Sequence, residues 1–197
     1  MTTLAAVRSE VYLLTNRPDL VNETTTAVKA ATLKVHQMDY FYRDLYETGI
    51  VFTTEEYVQQ LNYKQILPLW RALSYMRKYD AVGLAAGKEF DIIAPTEALD
   101  SYAIDRKDVM YAAGAVFNIK SSTAFQYALL GCYLNPDVTE AGYNSWIADE
   151  HLYAIVYEAA RVVFKTIGYD EQAAVYEKLV QEQYATVRIS QITSVGS

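Results

Sequence analysis

Apolar residues recur in steps of three and four over the two ends of the chain and nearer to steps of two through its middle. Leu4, Val7, Val11 and Leu14 mark a first helix of a few turns, broken at Thr15-Asn16-Arg17-Pro18-Asp19. Proline disfavours helix at the residue before it and fits the first turn of a new one. Val21, Thr24, Val28, Ala31, Val35, Met38 and Tyr42 predict a second, longer helix with one apolar face. Ala27, Ala30 and Ala31 keep its side chains small, so a neighbouring helix can approach closely. Toward the C-terminus, Leu152, Ile155, Val156, Ala159, Val163 and Ile167 form another stripe, led by Trp146 and Ile147 and widened by Phe164. Asn144 or Ser145 is suited to accept a hydrogen bond from the first turn, and Asp149 and Glu150 suit the positive end of the helix dipole. Gly168 is placed to end this helix in the left-handed conformation. Asp170 caps the next, whose stripe is Ala173, Tyr176, Val180 and Val187. The link Gly168-Tyr169-Asp170 is short, which makes the two helices an antiparallel hairpin. Its apolar faces need an opposing surface, and the face of the 21–42 helix is the natural one.

Between Gly49 and Gly142 the strand candidates are Ile50–Thr53, the second half of Leu69–Tyr79, Phe90–Ile93, Asp108–Ala112, Val116–Lys120 and Phe125–Leu134, the last being the strongest. Thr54–Tyr57 reads as a helical turn, and Gly114 and Ser121-Ser122 sit where turns are needed. The expected fold class is α+β: a mainly α-helical bundle of about four helices built from both chain ends, with a β-rich insertion in the middle and an extended C-terminal tail. The corresponding segments are 1–48, 49–142, 143–189 and a polar tail, 190–197.

Composition narrows the function classes. With 17 Lys and Arg against 24 Asp and Glu, the net charge of −7 argues against nucleic-acid binding through a basic face. The N-terminal residues lack the charged-then-apolar pattern of a signal peptide, and no apolar run approaches the ~20 residues of a membrane span. The single cysteine, Cys132, excludes an internal disulfide and suits a reducing compartment. The count that stands out is tyrosine, at 18, which fits broad protein–protein contact.

Catalytic patterns are scarce. Gly83-Leu84-Ala85-Ala86-Gly87-Lys88-Glu89 is one residue short of the phosphate-binding loop spacing, and Glu89 stands where the magnesium-binding hydroxyl belongs. His36 and His151 lie on different predicted helices, neither with a second ligand at metal spacing. The leading reading is a helix-surface or bundle-interior histidine held by hydrogen bonds; beside it stand a pKa raised by Asp149-Glu150 next to His151 and, less favoured, half of a metal site. Cys132 lies in an apolar run, as buried free cysteines do. Asp100, Asp105 and Asp108, with Arg106 and Lys107, read as a solvated turn. Arg71, Arg77, Lys78, Arg106 and Lys107 form a sparse basic set suited to salt bridges or a subunit contact. No catalytic residue, cofactor or metal is expected, and the chain is not expected to be an enzyme.

Ser145-Trp146-Ile147, the helix through Ala159-Ala160-Arg161-Val162-Val163-Phe164, the break at Ile167-Gly168-Tyr169 and the segment Tyr176–Glu182 together resemble the head-to-tail adaptor proteins of tailed bacteriophages, most closely the tail tubular protein A type of short-tailed phages. Val11–Val21 with Ala27–Lys34 is similar to the opening helices of such adaptors. The resemblance implies a structural virion protein, made in the host cytoplasm and built into the neck as a dodecameric homo-oligomer ring. It implies a portal protein on one side, a tail nozzle protein on the other, and DNA passing through the channel without sequence-specific binding. No membrane contact is implied. The helical bundle and the C-terminal tail would dock on the portal, with Arg188, Ile189, Ser190, Gln191, Ile192 and Val195 as candidates. The β-rich insertion would face the nozzle through Arg71, Tyr75, Arg77 and Tyr79. The net negative charge suits a channel that does not hold phosphates. Two alternatives stand beside this reading. One is a small cytoplasmic enzyme or ligand-binding module with a pocket between bundle and sheet, lined by His151, Glu150 and tyrosines. The other is a non-viral helical adaptor.

Overall fold

In the computed structural model, which describes residues 1–79, 86–99 and 104–194, with the backbone alone at 86 and 191–194, the elements run in the order α1 (Leu4–Thr15), α2 (Val21–Gln37), β1 (Leu45–Asn62), α3 (Tyr63–Ile66), β2 (Trp70–Tyr79), β3 (Ala86–Glu89), β4 (Asp91–Ile92), β5 (Val109–Ala113), β6 (Val116–Leu134), α4 (Trp146–Glu150), α5 (Leu152–Thr166) and α6 (Asp170–Ser194). Two units result: a helical one from Met1–Asp44 and Asn135–Ser197, and a strand unit from Leu45–Leu134.

The helical unit is organised on α5. Its buried face, Ala154, Ile155, Val156, Ala159, Ala160, Val163 and Phe164, packs against α1, α2 and α6. Alanines at the contacts let backbones approach closely, and the larger side chains interlock around them. Local signals fix the ends. Thr3 accepts from the Ala6 amide to start α1, and Asn16, at φ 51°, ends it by donating to the Tyr12 carbonyl. Ser145 caps α4 by accepting from the Ala148 amide at 3.1 Å. Gly168, at φ 80°, turns the chain between α5 and α6, where a side chain would be strained.

The strand unit is organised on β6. β1 runs antiparallel along one of its edges from Leu45↔Tyr133 to Asn62↔Val116. On the other edge, β2 pairs with the C-terminal half and β5 with the N-terminal half. β3 pairs with β2, β4 pairs with β5, and Phe90 donates to the Met76 carbonyl, so the sheet curls into a nearly closed barrel. Its core holds Met76, Phe90, Met110, Phe117, Ile119, Phe125 and Leu130. The β1–β6 ladder breaks between Val51 and Val58. There the buried Gln59 donates to the Thr54 and Phe125 carbonyls, at 2.7 and 3.0 Å, and Gln126 donates to the Phe52 carbonyl at 3.1 Å. Two amide side chains thus supply donors that the interrupted ladder no longer provides.

These features overturn the expected fold class. The chain is not a mainly helical four-helix bundle with a β-rich insertion: among the described residues, six helices accompany a six-stranded sheet that takes up most of the central chain. Residues 190–194 of the expected tail are not extended either, because α6 continues through Ser194. Pro18 lies in a turn before α2 instead of in its first turn, and α2 stops at Gln37. Thr54–Tyr57 is extended within β1, and Ser121-Ser122 lies inside β6 instead of turning it. One long helix was expected from residue 144 or 145 to Ile167; it is divided at His151, whose φ of −133° and ψ of 47° separate α4 from α5.

Candidate functional site

The densest polar group of the helical unit forms where α2 ends. His36 is the last inward-facing residue of the α2 stripe and is 2% exposed. Its Nδ1 lies 2.9 and 3.0 Å from the two carboxylate oxygens of Asp44. A carboxylate only accepts, so Nδ1 carries the proton. Nε2 then faces the Ser145 hydroxyl at 2.9 Å as an acceptor. Trp146 donates its indole N–H to Asp44 at 2.8 Å, and its ring is edge-on to His36 and Phe41. The Arg43 guanidinium lies 4.7 Å above that ring and pairs with Glu150. The hydrogen bond from Arg43 draws the Glu150 carboxyl below its usual range.

Ser145, His36 and Asp44 stand in the order of a nucleophile, base and orienting acid. Chemistry needs a reachable nucleophile, however, and these residues are 3, 2 and 8% exposed. The Ser145 oxygen is also already occupied as a helix cap. The group joins the end of α2, the turn before β1 and the start of α4.

A second buried group lies on α5. Glu158, 2% exposed, receives Lys34 at 2.6 Å and Arg161 at 2.7 and 3.0 Å. Burial pushes its carboxyl up, but these bonds and the two positive charges outweigh it and hold the group below its ordinary range. In the strand unit, Lys78 donates to Asp108, Ser121 and Thr123 at 3.3, 2.9 and 2.9 Å. Asp108 also accepts from the Ser122 amide at 3.0 Å and the Ser122 hydroxyl at 2.9 Å. Desolvation opposes these bonds, yet they hold the Asp108 carboxyl down at about 2.

Of the residues singled out in the sequence, Arg71, Tyr75, Arg77 and Tyr79 lie on β2. Tyr75 and Arg77 are brought together, with the guanidinium 5.0 Å from the Tyr75 ring and 3.5 Å from Glu89. On α6, Arg188 lies 3.9 Å from Asp39, Ile189 is 61% exposed, and Ser190 donates to the Val187 carbonyl at 2.7 Å. Gln191 and Ile192 continue that helix, and Val195 lies outside the described residues. His151 caps α4 with its amide and sets its ring against Trp146. Among the described residues no group of three metal-ligating side chains forms. Cys132 is fully buried, and burial raises its thiol to about 11. Asp105 pairs with Lys120 at 2.6 Å. Asp100 and Gly83–Ala85 lie outside the described residues. Among the described residues no helix is long and apolar enough to cross a membrane.

A bundle-interior histidine held by hydrogen bonds was legible in the sequence, but its partners and the Glu158 group were not. The available signal was polar residues inside apolar stripes: His36 beside Val35, and Glu158 beside Ala159. Their partners are as distant as 109 and 124 residues, beyond any local pattern. The sequence matches no protein-family model and no curated protein.

Proposed function

We propose that this chain is a structural connector, a head-to-tail adaptor that assembles as a ring between the portal and the tail nozzle of a tailed phage, with DNA passing through. One observation carries most weight. Helices from both chain ends form one unit while the centre forms a separate sheet. Such a chain presents two surfaces of different construction, which suits a part that joins two unlike neighbours. Exposed Tyr40, Tyr42, Tyr57, Tyr153 and Tyr169 supply amphipathic contact area at low entropic cost. A ring needs a head-to-tail contact that closes on itself. The test is the mass of the purified protein alone and mixed with a portal ring. A ring-sized species appearing with the portal is expected, and a monomer indifferent to it overturns the proposal. Deleting residues 188–197 removes only the end of α6 and is expected to abolish portal docking without unfolding the chain. Unchanged docking would remove the role proposed for that segment.

The enzyme reading has one observation in its favour, the Ser145–His36–Asp44 order. A fluorophosphonate probe tests it directly. Labelling of Ser145 in the folded chain would support hydrolase chemistry; its buried capping role predicts none.

A further inference from the structure

Five elements of the strand unit, α3, β2, β4, β5 and β6, line a cavity of about 230 Å³. Three of its walls are aromatic. Tyr63 stacks on Phe117 with ring centroids 4.5 Å apart, and Trp70 lies 4.5 Å from Tyr63 and 5.3 Å from Phe117. The Tyr63 hydroxyl donates to the Gly114 carbonyl at 3.1 Å, which fixes that ring. Met110 and Phe117, at 0 and 3% exposure, form the deep end. Strand register shows that this is barrel interior left unfilled. Residues two apart on a strand share a face, as do residues directly opposite on neighbouring strands. Met110 lies in the core opposite Ile119, so Ala112, its partner Phe117, and Ile92 beside Met110 face the same interior. Yet Ala112 is exposed and Ile92 is 55% exposed. Inward-facing apolar side chains that stay exposed border open space, and the mouth of a β-barrel is a recurrent ligand site.

Size and chemistry select the occupant. An apolar cavity of about 150 Å³ holds one benzene ring, and drug-sized ligands take about 300 Å³ or more. The volume here falls between the two and matches one fused two-ring system. Among the described residues no charged side chain lines the cavity, so a charged ligand would lose its hydration without gaining a counter-charge. The aromatic walls favour a flat aromatic guest through offset and edge-to-face contacts. A ring carried on another polypeptide fits less well. It would press peptide N–H and C=O groups against the Ile92 and Ala112 side chains at the mouth, which have no hydrogen-bonding atoms. We infer that this cavity binds a free, uncharged, two-ring aromatic molecule of the indole class. The site does not depend on the connector reading.

The probe is indole itself, added to the full chain. Saturable binding is expected by calorimetry with a Kd on the order of 0.1 mM, the affinity of so small a ligand at intermediate binding efficiency per atom. Ring-current shifts are expected at the Ile92 and Met110 methyl signals. Phenol, with two fewer non-hydrogen atoms to bury, is expected to bind about tenfold more weakly. Ala112→Leu fills the mouth from an exposed position and is expected to keep the melting temperature while weakening indole about tenfold or more. Ile92→Ala, also at an exposed position, is expected to weaken indole about three- to tenfold, and it decides the matter if the leucine variant does not fold. No saturable binding up to about 5 mM, methyl shifts confined to other parts of the chain, phenol binding as tightly as indole, or unchanged affinity in the folded variants overturns the proposal. N-acetyltryptophanamide is expected to bind more weakly than indole. Equal or tighter binding would assign the cavity to a ring carried by another polypeptide and overturn the proposal as well.

Discussion

Replacing Ser145 by alanine removes one oxygen that two buried groups contact. The Ala148 amide loses its acceptor at 3.1 Å, and the His36 Nε2 loses its donor at 2.9 Å. Loss of a serine cap costs about 1 kcal/mol. Loss of a buried hydrogen bond to a ring nitrogen costs about 1–3 kcal/mol. Ser145 and His36 are 3 and 2% exposed, so water has little room to substitute. The sum is about 2–4 kcal/mol, corresponding to a fall in melting temperature of about 10 °C for a cooperative unit of this size. Urea unfolding followed by far-ultraviolet circular dichroism measures it, because the helices that the cap organises dominate that signal. Ser145→Thr keeps the hydroxyl and is expected to recover most of the loss. If Ser145→Ala stays within about 0.5 kcal/mol of the parent, the hydroxyl is not holding His36 and the capping account of this group is wrong.

Three further outcomes follow from the buried and crowded positions. Glu158 titrates below its ordinary value of 4.5 in the folded chain. Its contribution is therefore complete above that value and is lost as pH falls through the lower folded value; Glu158→Gln should reduce stability at neutral pH and flatten the acid limb of a melting-temperature profile. Asp108, at about 2 against an ordinary 3.8, contributes stability that is lost between those two values on acidification. Asp108→Asn keeps a residue tolerant of its φ of 56° and should remove that acid dependence, with thermal melts across pH as the readout. A Cβ on Gly131 would meet the Tyr75 ring carbons at 2.6 Å, so Gly131→Ala should cost about 1–3 kcal/mol and shift Tyr75 from beneath Arg77. In a Tyr75→Ala background the same substitution should become nearly neutral, and a persistent cost would place the clash elsewhere.

Much of the helical unit was written locally. The 3.6-residue stripes of α1, α2, α5 and α6 follow from side-chain spacing alone, and the Ser145 cap and the left-handed Gly168 follow from backbone chemistry within a few residues. Decisions between distant segments were not local. Thr54–Tyr57 has the composition of a helical turn, but it stays extended in β1, with Gln59 satisfying the Thr54 carbonyl across the broken ladder. Ser121-Ser122 has the composition of a turn, but Asp108 and Lys78 hold both hydroxyls inside a continuous β6. Residues 190–194 have no apolar stripe of their own, yet they propagate α6, where each added residue extends an existing helix without a new nucleation cost. His36, Asp44 and Ser145 carry no common motif, because α2, the turn before β1 and α4 are brought together by the tertiary fold across up to 109 residues of sequence. The sequence by itself determined periodicity, caps and charge. Register and the buried polar groups were decided by the tertiary structure, because each depends on hydrogen-bond partners that no local pattern brings within reach.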